Sequence, residues 1–124
     1  KGVRVPDFKI DQSTRDASGK SVRVLNLKGQ LDAHTFPKLQ EELEAIVQGH
    51  EPRVVLDCAN LEYISSAGLG VLKKMTREFR GKQGDIRLAQ LPPKIDNVVS
   101  LLGFSQVLKT FKGLDEAVQS YKGE

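Results

Sequence analysis

Apolar-rich strand-like segments at Val22–Leu27, Val54–Leu56 and Ile86–Leu91 alternate with stretches whose apolar residues recur every three or four positions. Val54-Val55-Leu56 is short, β-branched and wholly apolar, as in a strand covered on both faces, and strands separated by helices must cross over to pair. This alternation selects an α/β fold with a mostly parallel sheet and right-handed connections.

The pattern predicts a single domain over residues 1–124 with the order β-β-α-β-α-β-α-β-α and about four helices. Val3, Val5, Phe8 and Ile10 are spaced as an edge strand, and the polar run Asp11 to Lys20, with Ser18-Gly19, reads as the turn after it. Val22, Val24, Leu25 and Leu27 form a second strand, antiparallel to the first and ending at Gly29. Thr35-Phe36-Pro37 signals a helix start, and Leu39, Leu43, Ile46 and Val47 carry the helix over Phe36–Gln48.

Asp57 follows the Val54 run, and Cys58 to Ser65 is expected as a connecting loop. A second helix begins near Ser66, turns Val71, Leu72, Met75 and Phe79 inward, and stops at Gly81. Ile86, Leu88 and Leu91 mark the next strand, and Pro92-Pro93 opens a short helix burying Ile95, Val98, Val99 and Leu102 before Gly103. Val107-Leu108 is the last strand, and Leu114, Ala117, Val118 and Tyr121 line a final helix with Asp115 and Glu116 in its first turn.

Composition narrows the function. At 39% hydrophobic and 28% charged residues the chain can bury a core, and it has neither a stretch long enough to span a bilayer nor a signal-peptide pattern near its start. A lone cysteine, Cys58, forms no internal disulfide or thiolate metal site, which fits a reducing, cytoplasmic compartment, and it is expected as a small buried hydrophobe. The net charge of +3 is dispersed, and Lys73, Lys74, Arg77, Arg80 and Lys82 read as a solvated helix face rather than a nucleic-acid surface. His34 and His50 flank the first helix and receive no role.

In open α/β sheets, sites gather beyond the carboxyl ends of strands, which singles out Asp32, Asp57 and Ser66. Ser65-Ser66 lies where the first backbone N–H groups of a helix lack partners and the dipole favours an anion. Ser66 therefore either caps the helix, with Gly68 and Gly70 permitting close packing, or carries a phosphate. Nucleotide-binding patterns fail: Lys73 stands where a dinucleotide fingerprint needs its third glycine, and there is no P-loop string. Ile64 stands where a hydrolase elbow needs glycine, so the chain is not expected to be an enzyme.

The string Tyr63-Ile64-Ser65-Ser66-Ala67-Gly68-Leu69-Gly70-Val71-Leu72, with Val54-Val55-Leu56-Asp57 and Gly29-Gln30-Leu31-Asp32 before it, closely resembles the STAS domain family. Within it, the closest resemblance is to stand-alone bacterial anti-sigma factor antagonists, over about Val22 to Tyr121. That resemblance implies phosphorylation of Ser66, with Ser65 the alternative because some members carry Asp in its place. It implies a partner-binding surface of Asp32, Ser65, Ser66, Ala67, Gly68 and Leu69. Asp32 could equally cap the turn into the first helix, and helical geometry alone leaves open whether Leu69 is an exposed apolar anchor or part of the core.

The implied partners are an anti-sigma factor serine kinase, bound by the unphosphorylated form, and a serine phosphatase. ATP and Mg²⁺ would belong to the kinase, leaving this chain no metal or other cofactor of its own, no direct nucleic-acid or membrane partner, and a monomeric free state. Two alternatives are a small-ligand-binding or scaffold STAS domain without phosphorylation, and a receiver-like domain phosphorylated on Asp57 with help from Lys109. The second would need acidic metal ligands after the first strand, where only Asp11 and Asp16 are on offer.

Overall fold

The computed structural model describes residues 8–123. β1 (Phe8–Ala17) and β2 (Lys20–Leu31) form a hairpin, and α1 (Phe36–Val47), β3 (Arg53–Ile64), α2 (Ser66–Arg80), β4 (Asp85–Ala89) and α3 (Pro93–Leu101) follow. A 3₁₀ turn (Phe104–Gln106), β5 (Lys109–Phe111) and α4 (Leu114–Gln119) complete the order. The strands lie in sequence order β1-β2-β3-β4-β5, with β1 antiparallel to β2 and every other pair parallel. The expected α/β order is present, with mixed, mostly parallel pairing.

When each parallel strand is laid beside the last by a right-handed crossover, successive helices fall on the same face. The core shows this directly. Leu39, Leu43, Leu72, Met75, Phe79, Ile95 and Val99 from α1, α2 and α3 pack with Leu25, Leu27, Leu56, Ile86 and Leu88 on one side of the sheet. Ala117, Val118 and Tyr121, on and just after α4, pack with Val22, Val24, Val55 and Ala89 on the other.

Several expected boundaries are corrected. The polar run Asp11–Asp16 is strand, not turn; β1 reaches Ala17, and only Ser18 (φ 53°) and Gly19 (φ 89°) make the bend. Its side chains from Asp11 to Asp16 face solvent on both sides, so no hydrophobic alternation marks them. β2 continues past Gly29 (φ 108°) to Leu31, with a register shift between Gly29 and Gln30. Val3 and Val5 lie outside the described residues.

The expected loop Cys58–Ser65 is largely strand, because β3 runs to Ile64. β4 pairs with β3 only as far as Asp57, so the rest of β3 has β2 alone beside it and reads as polar. The last strand is Lys109–Phe111, two residues beyond Val107-Leu108, in register with Arg87–Ala89 of β4. Leu91 falls just after β4 and is half-buried, while Leu102 caps α3 half-exposed instead of facing the core.

A buried charge sits in the middle of β4. Arg87 is 2% exposed; its Nε donates to Asp85 Oδ2 at 2.9 Å, its Nη1 donates to Ser120 Oγ at 2.8 Å, and its guanidinium lies 3.9 Å from the Tyr121 ring centroid. Arg80 Nε takes the other oxygen of Asp85 at 2.8 Å. The Tyr121 hydroxyl is 2.7 Å from Val54 O and 2.8 Å from Asp85 O, so the residues after α4 are tied to two strands at once. Close approach is enforced nearby at Gly84, where a Cβ would fall 1.8 Å from Pro52 O.

Removing Arg87 would strip the buried Asp85 Oδ2 of its cation and leave Arg80 and the Ile86 N–H on Oδ1. Arg87→Ala is expected to cost about 3–5 kcal/mol of stability in denaturant unfolding. Leu69 is fully buried within the larger core, so Leu69→Ala should lose about 2–5 kcal/mol in the same measurement. An unchanged midpoint for either variant would contradict its placement.

Candidate functional site

β2 and β3 are parallel neighbours, in register at their ends as Leu31↔Ile64. The chain leaving each strand therefore emerges at the same end of the sheet, which brings Asp32 beside Ser65. Ser65 N donates to Leu31 O at 3.0 Å, joining the two segments through the backbone. Gly68 makes the approach close: a Cβ there would meet Leu31 O at 3.2 Å and Ser65 Oγ at 3.4 Å. Gly70 has nothing within 4 Å of such a Cβ, so the close-packing role expected of both glycines belongs to Gly68 alone.

Asp32 organises the turn into α1. Its Oδ1 accepts from His34 N at 2.9 Å and Thr35 N at 3.1 Å, while Thr35 Oγ1 accepts from Asp32 N at 3.0 Å and donates to Gln30 O at 2.6 Å. Partial desolvation works to raise the Asp32 pKa, but the N–H groups of His34 and Thr35, with the Thr35 hydroxyl, outweigh it and hold the carboxyl below its usual 3.8. The carboxylate is therefore ionised at neutral pH. The turn-capping reading of Asp32 is present in the structure, and it fixes a negative charge in the turn into α1, at the end of the sheet where α2 also starts.

Ser65, not Ser66, caps α2. Its extended backbone (φ −88°, ψ 161°) precedes the helix, and its Oγ accepts from Gly68 N at 3.0 Å. The capping reading of Ser66 is corrected accordingly: Ser66 is the first helical residue, and its side chain is exposed. The first helical backbone bond runs from Leu69 N to Ser65 O, so the N–H groups of Ser66 and Ala67 precede the ladder. No acidic side chain occupies this first turn to offset the dipole.

The six expected contact residues divide by burial. Ser66 and Ala67 are exposed, Asp32 and Ser65 are intermediate, and Gly68 and Leu69 are buried. Of the two readings left open for Leu69, exposed anchor or core, the structure shows the core. With the cap at Ser65, Leu69, Leu72, Thr76 and Phe79 fall at intervals of three and four on the inner side of α2. Tyr63, which sequence reasoning quoted but did not single out, is half-exposed near the end of β3 and in register with Gln30. Its signal was an aromatic ring in a stretch that was assigned to loop.

Asp57 lies within β3 and is 7% exposed. Its Oδ2 accepts from Asn26 Nδ2 at 3.0 Å; its Oδ1 accepts from Gln90 Nε2 at 2.9 Å and from Ala59 N at 3.2 Å. The side chain thus links β2, β3 and the end of β4. Lys109 is in register with Arg87, two residues before the row Asp57–Ala89–Phe111, so the structure does not bring Lys109 to Asp57. Asp11 lies in the Asp57 row with Asn26 between them, and Asp16 lies at the far end of β1. Cys58 is buried, and its thiol is pushed up to about 12 by desolvation and the neighbouring Asp57 charge, which makes it inert. His34 and His50 are exposed.

Among the described residues no helix is long and apolar enough to cross a membrane. The unbroken strand order has no reversal, and the reversal is where open α/β sheets form their ligand crevice. The candidate site is accordingly a surface, made of one charged turn and one helix start.

Residues 15–117 match the STAS domain. BtrV, a candidate anti-sigma factor antagonist of Bordetella bronchiseptica, is 34% identical over 96 residues, which cover 77% of this chain and 83% of BtrV. Among solved structures, an anti-sigma factor antagonist from Mycobacterium paratuberculosis matches with a TM-score of 0.74 at 24% identity, over 90% of this chain and 93% of that one. The anti-sigma factor antagonist SpoIIAA matches in its unphosphorylated form with a TM-score of 0.72 at 23% identity, over 95% and 98% of the two chains. The phosphorylated form of Bacillus SpoIIAA matches at 0.66 and 20% identity, over 94% and 100%. With the domain match spanning most of the sequence and the same fold in these structures, the chain belongs to the STAS domain family.

Proposed function

We propose that this chain is an anti-sigma factor antagonist, a binding protein whose association with an anti-sigma factor serine kinase is switched by phosphorylation of Ser66. The observation that carries this reading is the division of labour between two adjacent serines. Ser65 Oγ is committed to capping α2, whereas Ser66 stands exposed on the first turn of the helix that leaves the sheet at the same end as Asp32. The names of the relatives support the antagonist role, and the existence of SpoIIAA in two phosphorylation states supports the switch.

In this reading the unphosphorylated face, Asp32, Ser65, Ser66, Ala67 and the neighbouring Tyr63, lies against the kinase; Gly68 and Leu69 shape it from below. The kinase supplies ATP and Mg²⁺. Ser66 Oγ bonds to the γ-phosphorus, the bond to ADP breaks, and the hydroxyl proton passes to a base of the kinase. A phosphoserine adds about −1.5 to −2 charges at neutral pH, at the end of the sheet where the Asp32 carboxylate is already ionised. Within the fold the added charge meets the unpartnered N–H groups of a helix start; across an interface it meets a desolvated surface. Binding changes while the fold persists. A serine phosphatase reverses the step by hydrolysing the ester. Dependence on the kinase's ATP, and a single free cysteine with no disulfide, support a cytoplasmic location.

Incubation with the cognate kinase and ATP should therefore label Ser66, and Ser66→Ala should abolish the label. Ser65→Ala should keep the label but lose about 0.5–2 kcal/mol of stability through the missing cap. Phosphate mapped to Ser65, or no label at all, would overturn the assignment. Ser66→Asp should gain roughly 0.3–1 kcal/mol from the helix dipole while losing kinase affinity. Thermal unfolding and titration calorimetry read the two effects separately, and retained affinity would contradict the switch.

A further inference from the structure

β1 and β2 pair without a break over ten residues, from Phe8↔Gly29 to Ala17↔Lys20. A two-residue turn with positive φ at Ser18 and Gly19 closes the hairpin. In that geometry the residues flanking the turn exchange backbone hydrogen bonds, so Ala17, Arg15, Ser13 and Asp11 bond to β2. The backbone groups of Asp16, Thr14, Gln12, Ile10 and Phe8 point outward. At each end an outward carbonyl is taken from within the molecule: Phe8 O accepts from Lys38 Nζ and Asp16 O from Gln119 Nε2, both at 3.2 Å. Among the described residues nothing bonds to the outward backbone groups of Ile10, Gln12 and Thr14, and β1 neighbours no strand but β2.

An open, regular edge is a template for strand addition, and scattered charge is the usual defence against it. Here the charges are ordered. Lys9, Asp11 and Arg15 lie on one face of β1, and they are self-complementary about Ser13, which pairs residues 9–17; an axis through Ile10 also sets Lys9 against Asp11, but it pairs only residues 8–12 of the described strand.

We propose that the outer edge of β1 pairs antiparallel with the same edge of a second copy, about a two-fold axis through Ser13, joining two sheets into one. Asp11 of each copy then lies opposite Arg15 of the other, twice over, at non-hydrogen-bonded positions where facing side chains are closest. Gln12 faces Thr14, and Ile10 faces Asp16. A shift of the axis by one residue toward Gln12 places Lys9 opposite Arg15 twice, a repulsion. A shift toward Thr14 leaves Asp11 opposite Ala17 and Arg15 opposite Ser13, losing both ion pairs. The interface is isologous and closed, so it gives a dimer and not a fibre. The far edge strand, β5, has only three residues and offers no comparable ladder. The pairing replaces the expected free monomer and does not depend on the Ser66 switch.

Ser13→Cys tests the axis, because facing residues at such a pair have Cα atoms about 4.5 Å apart, within disulfide reach. Cys58 is buried and does not compete. Mild oxidation of Ser13→Cys should give a disulfide-linked dimer, whereas Thr14→Cys, which faces Gln12 across the pair, should stay largely uncrosslinked. In sedimentation, Asp11→Arg should raise the dimer dissociation constant about tenfold or more, because like charges directly opposite repel. Adding Arg15→Asp to that variant should restore it. These residues are exposed, so thermal unfolding should be unchanged at concentrations well below the dimer dissociation constant. A concentration-independent monomer, equal crosslinking at positions 13 and 14, or a dimer indifferent to Asp11→Arg would overturn the proposal.

Discussion

The parallel pairing of β2 with β3 runs on after β4 has ended, and the arrangement of the candidate site follows from it. Leu31 and Ile64 finish in register, so two segments far apart in sequence must leave the sheet together. The Ser65 N–H bond to Leu31 O and the missing side chain at Gly68 then fix their separation. Lengthening either strand by one residue would turn every later side chain to the opposite face. The site is thus a consequence of strand register, and its chemistry, one carboxylate and one hydroxyl, is simple because position supplies the rest.

Stability and surface function occupy different parts of the sheet. The buried Arg87–Asp85 pair, braced by Arg80, Ser120 and Tyr121, spans the first half of β4, from its start at Asp85 to its middle at Arg87. Asp32 and Ser65 lie where β2 and β3 leave. A charge added at the exit does not have to be accommodated by the polar network at the entrance, which helps a binding surface change while the fold is kept. The Asp57 amide network with Asn26 and Gln90 stands between them and holds three strands in line.

Sequence patterns were informative where burial had one side. α1 was legible to within a residue because Leu39, Leu43, Ile46 and Val47 repeat at helical spacing behind Pro37. The string around Ser66 located α2 and the site, yet the cap was placed one residue late, since two consecutive serines satisfy the same rule. β1 from Asp11 to Asp16 was unreadable because neither face is covered, and the tail of β3 because its cover ends with β4. Leu69 could not be assigned until the cap fixed the helical phase. Arg87 carries no apolar signal between Ile86 and Leu88, and its partner Asp85 stands two residues earlier on the same face.

The cap at Ser65 has a further consequence for how Ser66 can be recognised. A hydroxyl on a formed helical turn cannot be threaded as an extended peptide into a catalytic cleft, so any enzyme that modifies it must read a shape and not a linear motif. That shape is assembled from the ends of two strands and disappears when the chain unfolds. Under the proposed switch only folded copies can be marked, and the modification state of the population doubles as a record of its structural integrity.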